Sequence, residues 1–265
     1  MGKKSKYFKS KGSKSSVPPK GSKGILVTCD ISNVNRAVSQ VVSLCHSLVP
    51  EDLLENQDSN NNEKSLEDEI SELRNEKTKA RFVPYVSDVS GNFFIRFVEP
   101  QDDPFDFLSR YFTSIKLTGK SETPKAVRLY PVQYTGFPEI DESFPILTTL
   151  VQPVFENKDF PLNYEVVIHR KHAADKDSHD ILNNKIISFV GPPHKPMYHN
   201  ADIAIVWISL GRNLFLSVIP KWKEWCNCNI PKLCAQKNIN IQDHSSDLTS
   251  GDLSETPQSV VPSSD

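Results

Sequence analysis

"ILVTCDISNVNRAVSQVVSLCHSLVP" runs from Ile25 to Pro50 and sets the reading of everything after it. Its first five residues, Ile25 to Cys29, form a short apolar, β-branched run that reads as a strand. Asp30 or Ser32 then supplies an N-cap, and Val34, Ala37, Val38, Val41, Val42, Cys45 and Leu48 recur at helical spacing. A strand feeding directly into an amphipathic helix opens an α/β arrangement. Downstream, Arg81–Val86 and Phe93–Val98 alternate as two strands around Ser90-Gly91-Asn92, a hairpin signal. Asp102 to Pro104 starts a helix with Phe105, Leu108, Phe112 and Ile115 on one face, and Lys125–Tyr134 reads as one more strand. Strand, helix, strand, strand, helix, strand is the order of a ferredoxin-like split βαβ unit.

A second unit begins near Glu139. Phe144, Leu147, Leu150, Val151 and Val154 predict a helix interrupted by Pro145 and Pro153. Tyr164–Ile168 is a strand, and Asp177 or Ser178 caps a helix carrying Ile181, Leu182, Ile186, Phe189 and Val190, which stops at Gly191-Pro192-Pro193. Two strands, Ile203–Leu210 and Leu214–Ile219, follow around Gly211-Arg212-Asn213. The nearly unbroken apolar run "IAIVWI" suits a strand buried on both faces.

The 265 residues are 37% hydrophobic, below the roughly 45–50% of globular chains, so part of the chain is expected not to fold. Formal net charge is only -2, but the charge is polarised along the chain. Residues 1–23 contain Lys3, Lys4, Lys6, Lys9, Lys11, Lys14, Lys20 and Lys23 and no acid. Residues 240–265 contain Asp243, Asp247, Asp252, Glu255 and Asp265 and no Lys or Arg. Both ends read as disordered tails. The organisation is then a basic tail (1–23), a ferredoxin-like domain (24–135) with an acidic insertion (50–79), a second domain (136–234) and an acidic tail (235–265). Within the insertion, Ser65 and Asp68 have capping-box spacing.

No apolar run reaches the 18 residues of a membrane span, and there is no apolar leader region. "MGKKSK" departs from the myristoylation pattern, because Lys6 occupies the position that takes Ser or Thr. Cys29 and Cys45 lie in apolar runs and read as small core residues. Cys226, Cys228 and Cys234 lack the spacing and the fourth ligand of a structural zinc site. Nucleotide-cradling glycine motifs, a zinc-protease motif and a nucleophile elbow are all missing.

What remains is cationic. The strand Tyr164–Ile168 runs out into His169-Arg170-Lys171-His172, Arg128 stands beside Tyr130, and Lys195, Arg212, Lys221 and Lys223 lie at predicted element ends, the last two interleaved with Trp222 and Trp225. Cations with interleaved aromatics match a surface that neutralises phosphates and stacks bases. The RNA-binding candidates are Arg128, Arg170, Lys171, His172, Lys195, Arg212, Lys221 and Lys223. His169, His172 and His179 straddle different elements without a spaced acidic partner, so they read as polar surface, not as metal ligands.

Three stretches resemble the THUMP family of RNA-modification proteins. They are "AVRLYPV" (Ala126–Val132), "YEVVIHRKHAADKDSHDIL" (Tyr164–Leu182) and "ADIAIVWISLGRNLFLSVI" (Ala201–Ile219). The chain is most similar to the stand-alone adaptors of tRNA cytidine N4-acetylation, over about residues 24–234. Arg128 matches a basic residue before a proline, and Arg170 and Lys171 match a basic pair at a strand end. The resemblance implies an α+β fold with a THUMP layer after the ferredoxin-like domain. It implies tRNA binding without catalysis or cofactor, serine and leucine tRNAs as cargo, an RNA cytidine acetyltransferase as partner, and a nuclear, nucleolar place of work with the cytoplasm second. Two places depart from the family pattern. Gly136-Phe137-Pro138 replaces a Cys-containing turn, and Trp225-Cys226-Asn227-Cys228-Asn229 replaces a cationic closing run, for which Lys221 and Lys223 are substitutes. A THUMP-type methyltransferase and a protein-interaction scaffold are the alternative readings.

Overall fold

The structure, a computed structural model, describes residues 17–50, 80–156, 160–172 and 179–236. The first sheet is built from β1 (Lys23–Cys29), β2 (Phe82–Val86), β3 (Asn92–Phe97) and β4 (Ala126–Val132), with α1 (Val34–Ser47) after β1 and α2 (Pro104–Thr118) after β3. Its strands run in the order β2-β3-β1-β4, and every neighbour is antiparallel. This is the ferredoxin-like arrangement, and the chain is α+β as its pattern of elements implies.

Strand alternation sorts the residues of this sheet. Phe82 and Phe97 meet Phe107 of α2 edge-to-face, with centroids at 5.7 and 5.0 Å, so that side carries the helices. Leu26 stands opposite Phe94 and Tyr130, and Phe94 leans on Phe215 of the second sheet at 5.3 Å. That other side faces the rest of the molecule. α2 begins on Asp103, whose carboxylate accepts from the Phe105 N–H at 2.9 Å, with Pro104 in the first turn. It ends on Gly119, at a left-handed φ of 70°, whose N–H reaches the Ile115 carbonyl at 2.7 Å.

The second sheet has the order β5-β9-β8-β6-β7. It comprises β5 (Tyr134–Gly136), β6 (Asn163–Lys171), β7 (Lys195–Pro196), β8 (Ile203–Leu210) and β9 (Asn213–Ile219). β6 is parallel to β8 and β7, while β9 is antiparallel to both its neighbours, β8 and β5. α3 (Ile140–Phe155) and α4 (His179–Val190) cover one side, where Leu147, Val151, Leu182 and Ile186 share a core with Tyr164, Ile168, Ile205 and Trp207. Val167, Ala204, Val206, Ile208 and Phe215 turn the other way and join the core of the first sheet. All of β8 is buried, as a strand apolar on both faces requires. After β9 the chain returns to the first unit. Trp225 packs on Phe112 at 5.1 Å, and Ile230 and Leu233, in a helical segment at 230–236, are buried in the same core.

Some local readings change. α3 is one continuous helix containing Pro145 and Pro153, not an interrupted one. Both prolines are exposed, as are Asp141 and Thr149 four residues before them. The carbonyls that lose an N–H donor therefore lie toward water, where the helix tolerates the loss. The predicted strand Lys125–Tyr134 is two strands. β4 ends at Val132, and the chain crosses at Gln133, whose backbone N–H donates to the Leu216 carbonyl at 3.0 Å. Tyr134 then begins β5 in the other sheet. A 3-10 turn (Ile31–Asn33) delays α1, so Asn33, not Asp30 or Ser32, precedes it, and neither Asp30 nor Asn33 makes a side-chain cap bond. The caps proposed at Asp177 and Ser178, the Ser65/Asp68 turn and most of the insertion and of both tails lie outside the described residues.

Asp102, next to the cap of α2, is 2% exposed and takes a two-pronged bond from Arg81 at 2.7 and 2.6 Å, tying the start of β2 to the start of α2. Removing one partner of such a buried pair strands the other. Asp102→Ala should lower stability by about 3–5 kcal/mol in denaturant unfolding. The paired replacement Arg81→Met/Asp102→Leu should lose far less.

Candidate nucleic-acid interface

The cluster that leaves Tyr164–Ile168 in sequence remains strand as far as Lys171. Period-2 alternation therefore splits it. His169 and Lys171 follow Val167 onto the side facing the first sheet, whereas Arg170 follows Ile168 onto the helix side. The consecutive basic pair is thus divided between the two faces of the sheet. What meets His169 and Lys171 across the gap is Arg128, delivered by β4 opposite Thr28.

Together these side chains line a cleft of about 360 Å³ between the two sheets. Leu26, Ile208 and Leu210 contribute apolar wall, and the Ser90-Gly91-Asn92 turn and Asn229 complete the lining. Arg128 Nη1 donates to the Tyr130 hydroxyl at 3.0 Å, which fixes the guanidinium. Its backbone bridges to Asn229, which covers the free edge of β4. Among the described residues neither Arg128 nor Lys171 has a carboxylate partner.

The electrostatics agree with the geometry. His169 is held below its ordinary pKa, first by partial desolvation in the cleft, then by Arg128, Lys171 and His179. Desolvation is the larger cause, and the neighbouring cations add to it in the same direction. The Tyr130 hydroxyl is pushed up by burial, with Arg128 opposing. Cys228 is fully buried beside Arg128, and burial keeps it a thiol.

The eight predicted cations fall into two groups. Arg128 and Lys171 share the cleft, while exposed Arg212 and His172 lie at the same end of the second sheet, where the Gly211 N–H meets the Lys171 carbonyl at 2.9 Å. Arg170 lies at this end too, on the opposite face. Lys195 pairs with Asn163 at the far end of β6, a nine-residue strand and so roughly 26 Å away. Lys221 and Lys223 follow Ile219, which pairs with Ala204, again at the far end. The aromatics read as base-stacking surfaces are core instead. Trp222 and Trp225 are each 3% exposed and Tyr130 2%, so no base reaches them. Sequence reasoning left out His169 and Asn229. Period-2 spacing from Lys171 points to His169, but nothing local points to Asn229. Among the described residues no group of three His, Cys, Asp or Glu is placed to hold a metal, and no helix is long and apolar enough to cross a membrane.

No family model and no curated protein sequence matches the chain. Among solved structures it is similar to PH1313 from Pyrococcus horikoshii Ot3, at 8% identity and a TM-score of 0.41, covering 76% of this chain and 55% of that one. It is also similar to a 4-thiouridine synthetase in complex with RNA and bound ATP, at 9% identity and a TM-score of 0.40, covering 76% of this chain and 42% of that one. The chain spans about half the length of the solved chains it matches.

The depressed His169 pKa has a signed consequence. An anion in the cleft adds opposite charge and raises that pKa, so anion binding takes up a proton. Affinity for a phosphate-bearing ligand should therefore increase as pH falls from 7.5 toward 6, and His169→Gln should remove the increment. Without ligand the sign reverses. The unfolded chain takes the proton first as pH drops below about 6.5, so this residue's contribution to stability is full above that pH and lost below it.

Proposed function

We propose that this protein is a tRNA-binding adaptor of the THUMP type, without catalytic activity of its own. The supporting observation is the cleft that gathers Arg128, His169 and Lys171 from two separate sheets, with no carboxylate paired to Arg128 or Lys171 among the described residues. Fixed cations of this kind grip phosphates and set register without reading sequence. That suits a protein whose task is to recognise the shape of a folded RNA. Arg212 and His172 extend the surface at the same end of the sheet. The lysine-rich residues 1–23 add non-specific attraction through counterion release.

The finer assignment rests on the three sequence stretches described above. On that reading the cargo is serine and leucine tRNAs, and the partner is an RNA cytidine acetyltransferase that forms N4-acetylcytidine in the D-arm. The work is nuclear, with the nucleolus first and the cytoplasm second. The sequence lacks the glycine-rich motifs that hold nucleotides, which favours an adaptor over a methyltransferase-like enzyme.

The test is a salt titration of tRNA binding. Arg128→Glu with Lys171→Glu should weaken binding to all tRNAs alike and reduce the slope of log K against log salt by about two, one for each lost phosphate contact. Arg170→Glu, on the other face, should change the slope by less than either. Purified protein with tRNA, acetyl-CoA and ATP should form no acetylcytidine until the acetyltransferase is added. Unaltered affinity in a folded Arg128/Lys171 variant refutes the site, and turnover without the acetyltransferase refutes the adaptor.

A further inference from the structure

Lys221 and Lys223 are left unused by the cleft, yet they are not isolated. With Lys116, Asp202, Glu224 and Gln236 they line a second groove of about 430 Å³. Glu224 is already engaged by Lys116 at 3.2 Å. Lys221 and Lys223 are exposed and have no ion-pair partner among the described residues. Nearby, burial pushes the Cys226 thiol up, and Lys116 and Lys232, the latter on the helical segment 230–236, oppose that shift. Three lysines and two carboxylates therefore line the groove, and the Lys116–Glu224 pair leaves Lys221 and Lys223 against Asp202 alone.

The place where the described chain ends is equally specific. Gln236 is its last residue and stands on the rim of this groove. The 29 residues that follow carry Asp243, Asp247, Asp252, Glu255 and Asp265 against one lysine, Lys237. Asp243 is seven residues past the rim, within about 25 Å even for a fully extended chain. A tether this short sets an effective concentration in the mM range, above that of any free polyanion with comparable contacts.

We propose that residues 243–255 of this chain dock in cis on the groove formed by Lys116, Lys221 and Lys223. The segment's carboxylates take the place that RNA phosphates would otherwise occupy there. Lys221 and Lys223 are thereby less available to polyanions in solution. The proposal does not depend on the RNA reading, because the docked segment and its groove belong to the same chain.

The experiment is zero-length carbodiimide coupling of the full chain without RNA, with the linked peptides mapped by mass spectrometry. Amide links from Lys221 or Lys223 to Asp243, Asp247, Asp252 or Glu255 are expected. Their yield should be independent of protein concentration and should fall as salt rises from roughly 0.05 to 0.5 M. In a full-length variant with Asp243→Asn, Asp247→Asn, Asp252→Asn and Glu255→Gln, the acylation rate of Lys221 and Lys223 should rise about threefold or more, as docked carboxylates no longer shield them. Three results overturn the proposal. They are links confined to the lysines of residues 1–23, links whose yield grows with protein concentration, and unchanged lysine reactivity in the variant. RNA that shields the two lysines equally in both proteins would assign the groove to RNA instead. All but the last of these measurements omit RNA, so they stand or fall separately from the function proposed above.

Discussion

The bond from the Trp222 indole N–H to the Glu165 carboxylate, 2.7 Å long, is the contact on which the relation of the two sheets turns. Trp222 is 3% exposed and stacks on Tyr130 at 6.3 Å with rings 21° apart. One side chain thus ties β6 of the second sheet, β4 of the first and the C-terminal segment. A hydrogen bond to a charged group contributes about 1.5–3 kcal/mol. Its geometric effect is larger than its energy. Arg128 lies two residues before Tyr130 on β4, and His169 lies four residues after Glu165 on β6. Fixing Tyr130 against Glu165 therefore fixes the separation of the two cationic walls. The apolar contact of Phe94 with Phe215 closes the same interface further along.

Cations facing one another without a carboxylate repel, and a folded chain keeps such an arrangement only where other contacts overdetermine it. Here an apolar interface and Trp222 hold the sheets, which fixes the separation of the strands that carry the charges. His169 is held below its ordinary pKa there, by desolvation first and by Arg128, Lys171 and His179 after it. In the cleft, sequence-distant cations converge beside a shared apolar wall.

The fold was largely legible because its signals are local. A period of 3.6 across Val34 to Leu48, a period of 2 across Phe93 to Val98, the hairpin glycine and the Asp103-Pro104 start each act within a few residues. What escaped was set by tertiary context. Pro145 and Pro153 read as helix breakers, but their exposed positions on α3 let water replace the missing donors. The switch of sheets at Gln133 leaves no mark in a continuous β-prone run.

The site was legible as residue types and illegible as geometry. Trp222, Trp225 and Tyr130 carry the composition of a stacking platform, yet their burial fractions make them interface core. Sequence alone cannot distinguish these cases, because an aromatic beside lysines serves equally as a snorkelling core residue. Adjacency misleads in the same way. Arg170 and Lys171 are neighbours in the chain and point to opposite faces, whereas Arg128 and Lys171 are far apart in the chain and share a cleft. In a strand, the residue two positions away is the functional neighbour, which makes His169 the true companion of Lys171. A basic pair read from sequence should therefore be separated by face before it is assigned to one ligand. In this protein that separation moves the partner of Lys171 from Arg170 to a strand of the other sheet.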